Sequence, residues 1–191
     1  MIIGITGGTG CGKTTALQAF GELGGIVLDC DAIYHRLLAT DCALLSAIES
    51  RFPGVAEDGV LDRKKLGNIV FADKIALNDL NKITHSAVKN EVLRRLQCAP
   101  ALAAIDAIAL FEGNLSSLCD VTVAVTAPKE ARIARLMQRD GISEEYARKR
   151  IEAQPSNADF AALCHHTLEN NGDICAFRSK CLAFLSRFGI M

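Results

Sequence analysis

The sequence predicts an α/β fold: a five-stranded parallel sheet in a three-layer arrangement, with a helical lobe and a helical lid added to it. Three observations carry this reading. A short apolar run at 1–6 leads into a glycine-rich turn and then a helical pattern. Apolar, β-branched runs later return in alternation with helical patterns, as parallel strands joined by crossover helices do. Between the second and third of these runs, residues 32 to about 98 read as wholly helical.

The chain has 191 residues, half of them hydrophobic, with no tryptophan and a formal net charge of −1. Such a chain builds one aliphatic core, so a single domain over 1–191 is expected. Near-neutral charge argues against bulk electrostatic binding to nucleic acid or to an anionic membrane. No apolar run approaches the ~20 residues of a transmembrane helix. The glycine-rich turn starts at Gly7, which leaves no room for a signal peptide, and a cytoplasmic location is expected. Eight cysteines include no C-x-x-C pair and read as small buried hydrophobes. Cys11 stands apart, because it lies inside the turn.

That turn, Gly7-Gly8-Thr9-Gly10-Cys11-Gly12-Lys13-Thr14, reads G-x-x-x-x-G-K-T and is a phosphate-binding loop. The expected architecture is therefore a P-loop NTPase fold. Gly8, Gly10 and Gly12 let the backbone curl so that N–H groups, that of Cys11 included, face an anion. Lys13 reaches the β- and γ-phosphates, and the Thr14 hydroxyl can ligate Mg²⁺. Thr15 follows on a helix whose positive end faces the phosphates.

The remaining elements follow from local signals. The first helix runs to about Glu22 and is closed by Gly21, Gly24 and Gly25. Ile26–Asp29 is the second strand, and Ala32 to Leu38 has a helical pattern. Pro53-Gly54 and Asp58-Gly59 mark turns, Asp62 can cap a helix over 63–71, and 73 to about 97 is one long helix or a kinked pair. A strand is expected over 104–111, ending in Glu112-Gly113, and another over 121–126. Pro128 opens a helix at its first turn. Ser143 caps the next, Gln154-Pro155 ends it, and 159–163 is a further short helix. Thr167–Asn170 is the candidate fifth strand. Asn171-Gly172 is a turn, and Asp173 caps a last helix to about Phe188. Within the one domain, the core covers about 1–30, 104–127 and 165–191, the helical lobe about 31–100 and the lid about 128–164.

Three groups outside the loop suggest chemistry. Asp29 and Asp31 stand at the end of a strand, where parallel sheets bind ligands. Asp31 fits either a helix N-cap or a carboxylate beside the terminal phosphate. Glu112 is expected at another strand end, where a metal-water ligand often sits. Arg132, Arg135 and Arg139 share one helix face, and 129–150 holds seven basic residues against four acidic ones. That face is either solvated or a lid that brings cations to a transferring phosphoryl group. No guanine-reading N-K-x-D and no D-x-x-G occur, so a GTPase is disfavoured, and a small-molecule kinase fits the compact pattern.

Across nearly its whole length the chain resembles the dephospho-coenzyme A kinase family. The resemblance rests on Gly4 to Thr14, on Asp29-Cys30-Asp31 where the family has D-A-D, and on Asp58 to Arg63. It continues through Val70-Phe71, Ile83-Thr84-His85 and Leu110-Phe111-Glu112. Arg135 to Asp140, Gln154 and Asn170-Asn171-Gly172 complete it. The resemblance implies transfer from ATP to the ribose 3′-hydroxyl of dephospho-CoA, with Mg²⁺ as cofactor. It implies Asp31 as general base, Lys13 and Arg139 as charge stabilisers, and Arg135 nearby. Dephospho-CoA would be held by Asp31, Arg63, His85 and Glu112, although His85 also fits a helix-packing role. No nucleic acid, membrane or obligate protein partner is implied. Another nucleoside-monophosphate or sugar kinase, or a non-catalytic ATP-binding regulator, shares the loop and the fold.

The chain departs from the family pattern at four places. Cys11 stands where serine is usual, and Ser86 where proline follows the histidine. Phe160 stands where a basic residue often lies six places after the glutamine, and Cys164-His165 replace Ala-Asp. Cys11 is expected to be alkylated by thiol reagents, with ATP protecting it.

Overall fold

The computed structural model describes residues 1–57, 59–99 and 101–189. Asp58, part of the second turn signal, lies outside them. The element order is β1 (Ile2–Thr6), α1 (Lys13–Glu22), β2 (Ile26–Asp29), α2 (Cys30–Thr40), α3 (Cys42–Arg51), β3 (Ala56–Glu57), β4 (Val60–Leu61), α4 (Arg63–Ala72), α5 (Lys74–Leu96) and β5 (Ala103–Asp106). A single 3₁₀ turn at Ser116–Leu118 precedes β6 (Val121–Thr126), α6 (Lys129–Asp140), α7 (Glu144–Glu152), α8 (Asn157–Leu163), β7 (His166–Glu169) and α9 (Ile174–Ser186). The chain divides into two compact units, one of residues 1–28, 99–111 and 115–191, the other of 29–98 and 112–114. Among the described residues no helix is long and apolar enough to cross a membrane.

The first unit is organised on a five-stranded parallel sheet in the order β2-β5-β1-β6-β7. Central β1 is in register with β5 (Ile5 opposite Asp106) and with β6 (Ile5 opposite Val123). Its alternation is lost because both faces are covered, as the continuous apolar run anticipates. Ile3, Ile5, Val123 and Val125 form the core with Phe20 of α1 and Phe177 and Leu185 of α9. A satellite core of Ile133, Leu136, Ala147 and Ile151 joins α6 to α7. Where the family has aspartate, His165 accepts the N–H of buried Thr122 on Nδ1 at 3.0 Å. A carboxylate would accept the same proton, so the departure keeps the hydrogen bond, and it fixes the ring proton on Nε2.

The strand expected over 104–111 is shorter than its apolar run. β5 ends at Asp106, and the N–H groups of Leu115 and Ser116 both donate to the Leu110 carbonyl at 3.0 Å, closing a turn. Leu110 is fully buried from that turn, so its apolarity reports packing and not pairing. Glu112 is therefore not at a strand end; Asp106 is. Small boundary shifts have the same local origin. Pro128 is the N-cap of α6 and not its first residue. α8 starts at Asn157, ahead of the expected 159, because Ser156 and Asp159 form a capping box.

In the second unit α5 is one unbroken helix, and α2, α3 and α4 pack on it. Each of these helices starts on an aspartate whose carboxylate accepts first-turn N–H groups: Asp29, Asp41, Asp62 and Asp73. The lobe is not wholly helical. β3 and β4 form an antiparallel hairpin, Ala56 opposite Leu61 and Glu57 opposite Val60. Two-residue strands are too short to show a period. The Glu49 carboxylate braces the hairpin by accepting Gly54 N–H at 2.5 Å and Ala56 N–H at 2.7 Å.

Glu91 on α5 gathers charge in this unit. Hydrogen bonds from Arg94 and then Arg95 pull its carboxyl down to about 2 against desolvation, with Arg36 of α2 adding to the effect. A depressed carboxyl stabilises the fold above its unfolded value of 4.5 and loses that contribution as pH falls towards about 2. Glu91→Gln should therefore lower the urea midpoint at pH 7, with a gap to wild type that narrows at pH 3. A second expectation concerns thiols. Cys42, Cys98 and Cys175 are exposed while Cys11 has no accessible surface. Alkylation of the folded protein, read by mass spectrometry, should modify those three and spare Cys11 with or without ATP; burial reverses the reactivity expected from its place in the loop.

Candidate active site

The phosphate loop is built from β1, the turn and the N-terminus of α1. Gly12 is the N-cap of α1 in the left-handed region, φ 98°, where a side chain would be strained. Its carbonyl accepts the N–H of Thr15 at 3.1 Å and of Ala16 at 3.4 Å. The N–H groups of Lys13 and Thr14 lie ahead of the first intrahelical bond and point out of the helix end. Lys13 Nζ donates to the Gly7 carbonyl at 2.8 Å, which folds the side chain back over the loop. Thr14 is exposed and Thr15 half-buried.

The loop is held from behind through its carbonyls. Arg132 Nε donates to Thr9 O at 2.8 Å, Arg135 Nη1 to Gly10 O at 3.1 Å, and Asn170 Nδ2 to Cys11 O at 2.9 Å. Gln154 accepts the Thr9 N–H at 2.8 Å. Arg135 also donates to Asn170 Oδ1 at 3.2 Å, so two of these holders support each other. Trans peptides aim each carbonyl opposite the next N–H. With the carbonyls of Thr9 and Cys11 turned to this set, the N–H groups of Gly10 and Gly12 point the other way. Opposing N–H groups of this kind make an anion cradle.

Arg132 is 3% exposed, and its acceptors are neutral: Thr9 O, Gln154 Oε1 and Asn157 Oδ1. Its packing explains Gly8, since a Cβ there would lie 2.2 Å from Arg132 Nη2. Cys11 is buried with Sγ 4.0 Å from Asn157 Oδ1, and only its backbone serves the loop. Asp106, in register with Ile5, is the carboxylate that β5 brings to the loop end of the sheet.

The residues expected at the site fall into two sets. Gly8, Gly10, Cys11, Gly12, Lys13, Thr14, Thr15 and Arg135 come together at the loop. Arg139 does not: its guanidinium makes a bidentate pair with Asp140 at 2.7 and 3.0 Å. Hydrogen bonds from Arg139 and then Arg150 hold the Asp140 carboxyl at about 2. Asp31, Arg63, His85 and Glu112 all belong to the second unit. There Asp29 caps α2, accepting Ala32 N–H at 2.9 Å. Asp31 is thus not the cap; it is exposed on the first turn of α2, with no hydrogen bond or ion pair among the described residues. One turn on, burial raises the Tyr34 hydroxyl, and the Arg63 charge opposes that shift. His85 and Glu112 line one groove.

Sequence reasoning did not assign Asn157, and it gave Gln154 and Asn170 no contact. All three are polar residues beside an apolar element, a signal too common to single them out. Among the described residues no cluster of three His, Cys, Asp or Glu could hold a metal.

Known proteins match the chain along nearly its whole length. The family profile described as dephospho-CoA kinase matches residues 1–176. The chain is 32% identical to the dephospho-CoA kinase of Syntrophotalea carbinolica, over 98% of its own length and 92% of the relative's. It is 35% identical to that of Burkholderia lata, over 88% and 86%. A Thermus thermophilus crystal structure superposes with a TM-score of 0.81 at 31% identity, covering 98% of this chain and 97% of the other. The dephospho-CoA kinase of Campylobacter jejuni gives 0.69 at 26%, covering 100% and 98%. Shikimate kinase from Acinetobacter baumannii, at 19% identity and a TM-score of 0.56 over 98% and 92%, shares the fold alone. With a family match over nearly all of its length and relatives spanning the remainder, the chain belongs to the dephospho-CoA kinases, ATP-dependent phosphotransferases of the last step of coenzyme A biosynthesis.

Proposed function

We propose that the chain carries the γ-phosphoryl group of ATP to the ribose 3′-hydroxyl of dephospho-CoA, with the loop as phosphate cradle and Asp31 as general base. The observation that carries this reading is the back-side anchoring of the Thr9, Gly10 and Cys11 carbonyls, which turns the N–H groups of Gly10 and Gly12 towards phosphate oxygens beside those of Lys13 and Thr14. Gly8, Gly10, Cys11, Gly12, Lys13, Thr14 and Thr15 bind the triphosphate. Lys13 leaves the Gly7 carbonyl for the β- and γ-phosphates, where its charge is worth more. Asp31 orients the 3′-hydroxyl and accepts its proton as transfer proceeds. Its freedom from capping supports that role. Arg135 holds the loop and the nucleotide. Arg139 exchanges Asp140 for charge on the moving phosphoryl group. Arg63, His85 and Glu112 bind the acceptor.

Mg²⁺ fits the Thr14 hydroxyl, and its charge would offset that of the β- and γ-oxygens. Residues 31–100 act as the acceptor lobe of one kinase domain and 128–164 as its lid. The enzyme works in the cytoplasm on small molecules, without nucleic acid, membrane or an obligate protein partner.

ADP release that depends on dephospho-CoA, read by a coupled assay, tests the reaction; release that ignores dephospho-CoA refutes it. Asp31→Asn should lower kcat by about 10²–10⁴-fold while the Kd for ATP stays within about twofold. Near-wild-type turnover in that variant removes the general-base role. Lys13→Ala should lose both transfer and tight ATP binding.

A further inference from the structure

The second unit holds a groove of about 460 Å³ between one face of α5 and the segment 112–114. Lys82, His85 and Lys89 line it from α5, at spacings of three and four that place them on one helix face. Asn81 of the same helix and Asn114 of the opposite wall add amide groups, and Glu112 is its one carboxylate. Lys82 is 69% exposed, and its ion pair with Asp79 is long, at 3.6 Å. The lysines of this lining outnumber its carboxylate, and Lys82 can reorient towards a bound anion.

Asn114 adds an independent sign. Its φ of 51° makes it the only non-glycine residue among the described ones in the left-handed region. Such strain concentrates at ligand-contacting sites, and asparagine tolerates it best. Here it sits in the wall that faces the lysines.

We propose that the groove of Lys82, Lys89 and Asn114 binds the diphosphate of the acceptor substrate. This rests on the reading of dephospho-CoA as acceptor, and it adds to His85 and Glu112 the residues that recognise its charge. A diphosphate offers two negative charges and several acceptor oxygens within a few ångströms. Two ammonium groups and a set of amides match that pattern.

Steady-state kinetics of Lys82→Ala/Lys89→Ala and of Asn114→Gly test this, with adenosine as a truncated acceptor that keeps the 3′-hydroxyl and lacks the diphosphate. The lysine pair is expected to raise KM for dephospho-CoA by about tenfold or more, to flatten its dependence on ionic strength, and to leave KM for ATP and kcat/KM for adenosine within about twofold. Asn114→Gly keeps the backbone conformation and loses the amide, so a smaller rise in the same KM is expected. An unchanged KM for dephospho-CoA in an active enzyme overturns the groove and leaves the reaction intact. An equal loss on adenosine also overturns it, since the damage would then lie elsewhere. A wild-type chain that transfers to neither acceptor overturns the reaction, and the groove with it.

Discussion

A phosphate loop can offer its N–H groups only if its carbonyls are satisfied elsewhere. Here that condition is met by side-chain donors: Arg132 for Thr9, Arg135 for Gly10 and Asn170 for Cys11. Two come from α6 and the third from the end of β7, so elements more than 100 residues away in sequence fix the curl of the loop. Asn170 is itself held by its N–H to the Thr126 carbonyl at 2.8 Å, which ties the loop to the sheet edge. Residues far past the loop in sequence thus have the task of shaping it. Arg132 carries a second consequence. A buried guanidinium with neutral acceptors leaves positive charge uncompensated beside the loop, and bound phosphate is its natural counter-charge.

The second unit treats charge differently. Glu91 collects three arginines, Asp79 takes Arg51 and Lys82, and four aspartates cap helices. Against that pairing, Asp31 stands out as a carboxylate with nothing to do in the fold. Asp29, two residues earlier, already serves the helix end. Division of labour between the two aspartates separates a structural carboxylate from one open to chemistry, within a single turn of chain.

Much of this was legible in the sequence. Loop, strands, caps and the order of helices followed from glycine positions, β-branched runs and aspartates ahead of apolar periods. Asp62, Ser143 and Asp173 cap the helices anticipated for them. What escaped depended on distance or on length. The 56–61 hairpin is too short to show alternation, and the 107–111 run imitates a strand because Leu110 is buried from a turn. The cap of α2 was looked for at Asp31 and lies at Asp29, two residues earlier, since both stand at the same strand end. At the site, three arginines on one face were visible, but not their separate fates: Arg132 and Arg135 turn to loop carbonyls, and Arg139 turns to Asp140. Position along a helix gives the face, whereas the partner depends on elements elsewhere in the chain. Cys11 gives the same lesson in reverse, a thiol in a binding loop whose side chain is walled in by Asn157 and the core.

Gly8 and Arg132 occupy one volume, with the guanidinium filling the space of the missing Cβ. The two positions are therefore epistatic. A side chain at 8 forces the guanidinium to shift from its place, and a shorter residue at 132 relaxes the demand for glycine at 8. Replacing either alone costs an anchored loop or leaves a void, so the first step of any exchange is the costly one, and a lineage that has acquired Arg132 is held to glycine at its neighbour.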